Sequence, residues 1–238
     1  MKCLILAAGK GKRLMPLTKD KPKCLIEIMG KPILQYQLEA LQKNNITDIT
    51  IVTGYEYKKV ESFLSYNRFN NLNITLIHNK SYRRSNSSYS FWLARDKVKD
   101  EPYIHLNCDV LFSPKLLKRL IDHPQQDVIV TDRKIKLKDN MEQVFLDKQT
   151  NKIIMMDNRP FKSAQVKACG IAKLSPYTTA NIIKLLYTHI KSGDFNQNFY
   201  GIIRKVISFT TIYAMDKDKL LLKEFNTIPE LGKIQATQ

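Results

Sequence analysis

No apolar run in the 238-residue chain approaches the roughly 18 residues that cross a bilayer. The apolar start MKCLILAAG runs straight into charged residues where a cleaved leader would carry a small-residue cleavage site. A span and a secretory signal are not expected, and the chain reads as soluble and cytoplasmic. Cysteine is scarce and scattered: Cys3, Cys24, Cys108 and Cys169 show neither Cys-x-x-Cys nor Cys/His ligand spacing. That pattern argues against a structural zinc site or a disulfide framework, and the four read as reduced, buried thiols. Internal repeats, linkers and low-complexity segments are missing as well. The length suits one large α/β domain.

What the sequence has in excess is positive charge, a formal +17. Nucleic acid, anionic membrane and phosphorylated small molecules are the partners such a charge raises. The cations are spread, however, with groups at Lys19, Lys21 and Lys23, at Lys115, Lys118 and Arg119, and at Arg133, Lys134, Lys136 and Lys138. A nucleic-acid module would concentrate them in one stripe with interleaved aromatics, and no such stripe is present. Outside the first group they read as solvated faces.

Hydrophobic periodicity predicts the fold. KCLILAA, DITIVTG and LNITLIHN read as buried strands, and helical patterns follow from Pro32 to Leu41 and from about Tyr55 to Tyr66. NSSYSFWLARDKV opens with capping residues and continues as a helix, with Tyr89, Phe91 and Trp92 at helical spacing and so assigned to its core. PYIHLNCDVLF reads as one further buried strand, and the Ser113-Pro114 and Ser175-Pro176 pairs each predict a helix start. Strand and helix in alternation predict a doubly wound, mostly parallel sheet. DVIVTD, MEQVFLD, KIIMMD and VKACGIAKL predict a small antiparallel or mixed extension of that sheet.

The chemistry concentrates in LILAAGKGKRLMPLTKDKPKCL. A Walker A loop fails here, because Gly11-Lys12 is followed by Arg13 and Leu6 stands where its first glycine belongs. The dinucleotide fingerprint fails too, with Leu14 at its third glycine. Glycines at 9 and 11 nevertheless let the backbone turn tightly after a strand and aim amide hydrogens at phosphate oxygens. Arg13 offers a forked grip for terminal phosphates and Lys23 a point charge. Lys10, Lys12, Lys19 and Lys21 read as solvent-exposed background.

Leu6, Ala7, Ala8, Gly9, Gly11, Arg13, Leu14, Pro16, Leu17, Thr18, Pro22, Lys23 and Leu25 together resemble the loop of the nucleotidyltransferases that make NDP-sugars and CDP-alcohols. The resemblance implies one Rossmann-like domain over 1–238, with a nucleotide-binding part of about 1–125 and an acceptor-binding part of about 126–238. It implies attack of an acceptor phosphate oxygen on the α-phosphorus of a nucleoside triphosphate, with release of pyrophosphate. The nucleophile arrives ionised, so His78, His105, His123 and His189 need no role. Charge neutralisation is what such chemistry demands, from Arg13, Lys23 and a divalent cation, Mg2+. Asp109 in LNCDVLF resembles the family's first metal aspartate. Asn226 in KEFNTIPEL stands at the second, where uridylyltransferases acting on acetylglucosamine phosphate also use asparagine. The nucleotide set implied is Leu6, Ala7, Ala8, Gly9, Lys10, Gly11, Tyr82, Asn86, Ser90 and Asn107.

The segment from Asn79 to Ser90, with Asn79, Tyr82, Asn86, Tyr89 and Ser90, resembles that of the phosphocholine cytidylyltransferases, which implies CTP with Tyr82 and Asn86 near base or ribose. The acceptor region departs from theirs. Met141 replaces an aromatic, VKACGIAKLS lacks the aromatic pair of a choline cage, and GDFNQNFYG has Gln197 or Asn198 in place of a carboxylate. Phe145, Phe161, Phe195, Phe199 and Tyr200 are the aromatics available to rebuild a cage, and Asp157 or Arg159 lies near the acceptor-binding E-K-P of sugar enzymes. The acceptor is therefore a phosphocholine-type or a polyol, sugar or phosphonate compound. A sugar-1-phosphate nucleotidyltransferase using another triphosphate and a nucleotide-binding homologue with little turnover stay open as alternatives.

Overall fold

A computed structural model describes residues 1–67 and 69–230. The chain begins with β1 (Lys2–Ala7), whose side chains alternate between two cores: Cys3, Ile5 and Ala7 face one and Leu4 and Leu6 the other. A small hairpin of β2 (Glu27–Ile28) and β3 (Lys31–Pro32) leads into α1 (Ile33–Lys43). Then follow β4 (Asp48–Thr53), α2 (Tyr57–Asn67), β5 (Asn73–His78), α3 (Ser87–Val98) and β6 (Tyr103–Asn107). Strands β6, β1, β4 and β5 lie side by side in that order and pair in parallel. After β5 the chain crosses back past β4 and β1 to lay down β6, which makes the gap between β1 and β6 a topological switch point.

The predicted strand PYIHLNCDVLF is two strands, because the chain turns after Asn107 and resumes as β7 (Val110–Phe112). Both predicted Ser-Pro helix starts are present. In α4 (Pro114–Ile121) the Ser113 hydroxyl accepts from Leu116 N at 3.3 Å, and in α5 (Pro176–Lys191) the Ser175 hydroxyl accepts from Thr178 N at 3.2 Å. The intervening strands are β8 (Val128–Asp132), β9 (Gln143–Leu146), β10 (Ile153–Asp157) and the fully buried β11 (Val166–Leu174). The extension is antiparallel where β11 meets β6, β8 and β9, and β12 (Tyr213–Asp216) runs parallel to β8. The sequence reading did not single out α6 (Phe199–Val206) or β13 (Leu222–Glu224), which pairs with β7 in a separate two-stranded sheet.

Helices cover both faces, as a doubly wound sheet requires. Leu34, Leu38 and Leu41 of α1, Val60 of α2 and Leu116, Leu117 and Leu120 of α4 pack on one side. Phe91, Ala94 and Val98 of α3, Ile182 and Leu186 of α5 and Ile202, Ile203 and Val206 of α6 pack on the other. Of the α3 aromatics assigned to the core only Phe91 is fully buried. Tyr89 leans on Phe195, and Trp92 carries the Arg95 guanidinium 4.0 Å from its ring, because both sit at the margins of the helix's buried face. All four cysteines are buried and reduced. No helix among the described residues is long and apolar enough to cross a membrane.

Candidate active site

The loop after β1 occupies the switch point. Leu6, Ala7 and Ala8 are buried and form its floor, bonded to both neighbouring strands: Cys108 N donates to Leu6 O at 3.3 Å and Tyr55 N to Ala8 O at 3.0 Å. Gly9, Lys10 and Arg13 are exposed above this floor. The fully buried Thr18 donates its hydroxyl to Gly11 O at 2.9 Å and ties the far end of the loop back to its start. Lys12 and Lys19 are exposed, as the sequence suggested. Lys10 stands 5.4 Å from the Tyr55 ring centre, and Lys21 is half-buried, 3.9 Å from Glu27.

Asp109 sits in the turn between β6 and β7, and a residue the sequence reading passed over holds that turn. Gln37, buried on α1, donates its amide to both Asn107 O and Val110 O at 2.8 Å, clamping the carbonyls on either side of Cys108-Asp109. Asp109 Oδ2 accepts from the Lys23 ammonium, while its Oδ1 is buried with no hydrogen-bond partner. The short β7–β13 ladder pairs Glu224 with Val110, and Phe225 N donates to Asp109 O at 3.1 Å, so Asn226 emerges beside the aspartate. Its amide oxygen accepts from Arg13 Nη2 at 2.8 Å and from Lys23 Nζ at 3.2 Å. Glu230 fixes the backbone there, accepting from Asn226 N at 2.7 Å and Thr227 N at 3.0 Å. Arg13, Lys23, Asp109 and Asn226, up to 213 positions apart in sequence, thus meet at one point.

Cys24 and Cys108 directly adjoin Lys23 and Asp109. Burial raises the Cys24 thiol well above its ordinary pKa and pushes Cys108 up to about 12, so both stay neutral and serve as apolar backing. His105 is likewise held neutral, its pKa lowered by burial to about 3, and stacks on Phe199 with ring centres 3.9 Å apart.

A second ion pair, also unanticipated, flanks this centre. Lys167 of β11 donates to Glu224 Oε2, and Glu224 Oε1 accepts from Gly170 N at 2.6 Å. Burial works against the Lys167 charge, but Glu224 more than reverses that and holds its pKa above the ordinary lysine value. Gly170 is where β11 meets the end of β6. A Cβ there would lie 2.5 Å from Asn107 Nδ2 and 2.8 Å from Asn107 Cβ, so only glycine permits the approach. Gly170→Ala is expected to cost about 1–3 kcal/mol through overpacking and to displace Asn107. A thermal melt unchanged from wild type would contradict this.

The residues from 79 to 90 divide into support and surface. Asn79, buried, donates its amide to Ser85 Oγ and Ser90 Oγ, both at 3.1 Å, so Ser90 lies beneath the segment rather than on its open side. Asn86 caps α3, its side chain accepting from Ser87 N at 2.8 Å, and its backbone N donates to Phe195 O at 2.9 Å. Tyr82 packs close to the start of the loop. Gly54 makes room for it, since a Cβ there would meet Ala8 O at 2.6 Å and Tyr82 Cβ at 2.8 Å. The Tyr82 ring stands 6.2 Å from that of Tyr55.

On the far side the aromatics considered for a cage are mostly engaged. Phe199 is stacked on His105, Tyr200 is buried with its hydroxyl donating to Cys169 O at 2.6 Å, and Phe195 packs against Tyr89 with centres 5.0 Å apart. Gln197 donates to Asp194 at 2.6 Å, Glu142 takes a bidentate grip from Arg204 at 2.7 and 3.1 Å, and Asp157 pairs with Arg159.

Among the described residues, Asp109 and Asn226 are the hard oxygen donors that contact Lys23. No group of three or more His, Cys, Asp or Glu side chains that could hold a metal ion occurs among the described residues. A buried carboxylate oxygen without a partner beside an amide oxygen suits magnesium, which keeps water and phosphate in most of its coordination positions.

Comparison with known proteins adds a separate line of evidence. Residues 2–142 match the family described as Nucleotidyl transferase. The CTP:phosphoglutamine cytidylyltransferase of Campylobacter jejuni is 33% identical over 138 residues, 56% of this chain and 53% of that protein. The choline-phosphate cytidylyltransferase of Haemophilus influenzae is 34% identical over 133 residues, 56% of this chain and 54% of that one. The matched region thus spans about half the length of these curated relatives. Among solved structures, the CTP:phosphocholine cytidylyltransferase of Streptococcus pneumoniae superposes with a TM-score of 0.76 at 21% identity, covering 98% of this chain and 97% of that one. The inositol-1-phosphate CTP transferase of T. maritima gives 0.80 at 20% identity, covering 99% and 96%. The fold is shared along nearly all of the chain.

Proposed function

The chain belongs to the nucleotidyl transferase family, and from that premise we propose that it transfers a cytidylyl group from CTP to a small phosphomonoester, releasing pyrophosphate. The observation that carries this reading is the meeting of Arg13, Lys23, Asp109 and Asn226 at the end of the Gly9–Arg13 loop. An oxygen of the acceptor phosphate forms a bond to the α-phosphorus. The bond from that phosphorus to the bridging oxygen breaks, and pyrophosphate leaves with the electron pair. Neither step needs a protein base. Both need positive charge, because two anions must meet and a third must depart.

In this reading the loop amides and Arg13 receive the β- and γ-phosphates and Lys23 the α-phosphate. Mg2+, held by Asp109 and Asn226, supplies charge neutralisation at the phosphates when bound. The orphaned Asp109 Oδ1 supports that assignment. Tyr82, packed against Gly54 as Ala8 is, is the residue of this segment assigned to the nucleoside. Asn86 and Ser90 act by shaping the segment, since cap and core already use their side chains. Cytidine follows from the relatives and from the Asn79–Ser90 segment, and the cytoplasm is where the CTP would be drawn.

The test is a pyrophosphate-release assay with each of the four common nucleoside triphosphates, magnesium and a panel of phosphocholine, phosphoglutamine, inositol 1-phosphate and hexose 1-phosphates. Release is expected with CTP above the other triphosphates. Binding of CTP with no release for any acceptor would favour the low-turnover alternative that Asn226 leaves open.

A further inference from the structure

The Lys167–Glu224 pair has no place in the chemistry above, and the fold does not need it. Strand β13 is already anchored to β7 by its ladder, and β11 pairs with β6, β8 and β9. A buried ion pair is a weak source of stability, because desolvating both charges offsets most of their attraction. This one is nonetheless held in place at its glutamate, which also accepts from Gly170 N at 2.6 Å.

Its place in the sheet gives it a use. In-line transfer needs the attacking and leaving oxygens on opposite sides of the α-phosphorus. Three adjacent strands supply three adjacent stations: β1 ends in the phosphate loop, β6 in the Asp109 turn, and β11 follows on the side away from the loop. Pyrophosphate leaves toward Gly9–Arg13, so the acceptor must approach from the β11 side. Lys23 is already assigned to the α-phosphate and spends two of its three donors on Asp109 and Asn226, so a further cation is needed on this side. Lys167 shares a strand face with Cys169 and Ile171, which pack in the same core as Cys24 and Cys108 beside Lys23 and Asp109. Its ammonium carries three donors, of which Glu224 takes one.

Resting on the nucleotidyl-transfer reading, we propose that Lys167, aimed by Glu224, receives the phosphate of the acceptor and brings it in line with the α-phosphorus. Glu224 is then a positioning residue, two places before Asn226, and the same short strand sets the geometry of both the acceptor side and the metal side.

The test uses the full chain, CTP, magnesium and the best acceptor of the panel. In Lys167→Met the acceptor KM is expected to rise more than about tenfold while the CTP KM stays within about twofold. Lys167→Arg should recover most of the loss, since it restores the charge. Because Lys167→Met leaves Glu224 unpaired, the double variant Lys167→Met/Glu224→Gln, with neither charge, supplies the same comparison in a fold without a stranded carboxylate. Inorganic phosphate gives a second readout, titrated by 31P NMR into protein saturated with a non-hydrolysable CTP analogue. Wild type should bind it, and the double variant at least about tenfold more weakly. An unchanged acceptor KM and unchanged phosphate affinity would overturn the assignment of Lys167 and leave nucleotidyl transfer standing, as would a parallel rise in the CTP KM. Absence of pyrophosphate release by the wild type with every acceptor would overturn both.

Discussion

Lys23→Ala is expected to lower the rate of pyrophosphate release by about a thousandfold while leaving the protein folded. The magnitude follows from the lysine's position. Its ammonium contacts Asp109 and Asn226 together, and its side chain is only 12% exposed, so its field acts where water screens it little. Removing one preorganised donor from a transition state typically costs about 10²–10³ in turnover, and a full charge opposite a developing phosphoryl anion belongs at the upper end. Stability should move less, because Arg13 still reaches Asn226 and the Gln37 clamp on the Asp109 turn is untouched. The measurement is kcat with saturating CTP and acceptor, alongside a thermal melt. Turnover within about threefold of wild type would remove Lys23 from the chemistry. Equal losses in turnover and melting temperature would make it a structural residue.

The parts of this site that were legible in the sequence are those written in consecutive residues. The loop from Leu6 to Leu25 carries its glycines, prolines and cations at fixed spacing, and a strand that ends in such a run leaves few alternatives. Asp109 was legible for a related reason, as a carboxylate just past a buried strand at the end of an open sheet. The break of that strand into β6 and β7 was not, because its cause is Gln37, 70 positions from Asn107 and 73 from Val110. Lys167 and Glu224 were invisible in the same way: the pair is 57 positions apart, and a lysine in VKACGIAKL reads locally as a strand residue of no special kind. Asn86 carries two readings at once. Its sequence neighbourhood points to the nucleoside, and an asparagine before a helix is also a common cap; in the fold its side chain accepts from Ser87 N and donates to Asn196 O. The three-residue strand β13 is too short for periodicity to register, although it carries Asn226 to its place.

Asp109→Asn and Asn226→Asp should move the metal dependence in opposite directions, and the contrast is a sharper test of the magnesium assignment than either change alone. The two substitutions are near-isosteric, so geometry is preserved and charge is what changes. Asn226→Asp adds a second carboxylate where Arg13 Nη2 and Lys23 Nζ already stand as compensating cations. The half-saturating magnesium concentration should therefore fall or hold, with kcat within about threefold of wild type. In Asp109→Asn the carboxylate that contacts Lys23 is gone, and the positive charge of Arg13, Lys23 and Lys167 is less well balanced. Half-saturating magnesium should rise by more than about tenfold and turnover fall by about two orders of magnitude, because a hard cation binds a neutral amide far less tightly than a carboxylate. Magnesium titrations of pyrophosphate release on the three proteins decide the matter. If Asn226→Asp proves severely impaired, the segment after β13 is not a metal ligand, and Asn226 acts instead by holding Arg13 and Lys23 in place. If Asp109→Asn keeps the magnesium response of wild type, the ion is held elsewhere, and the unpartnered Oδ1 of Asp109 loses the explanation given for it.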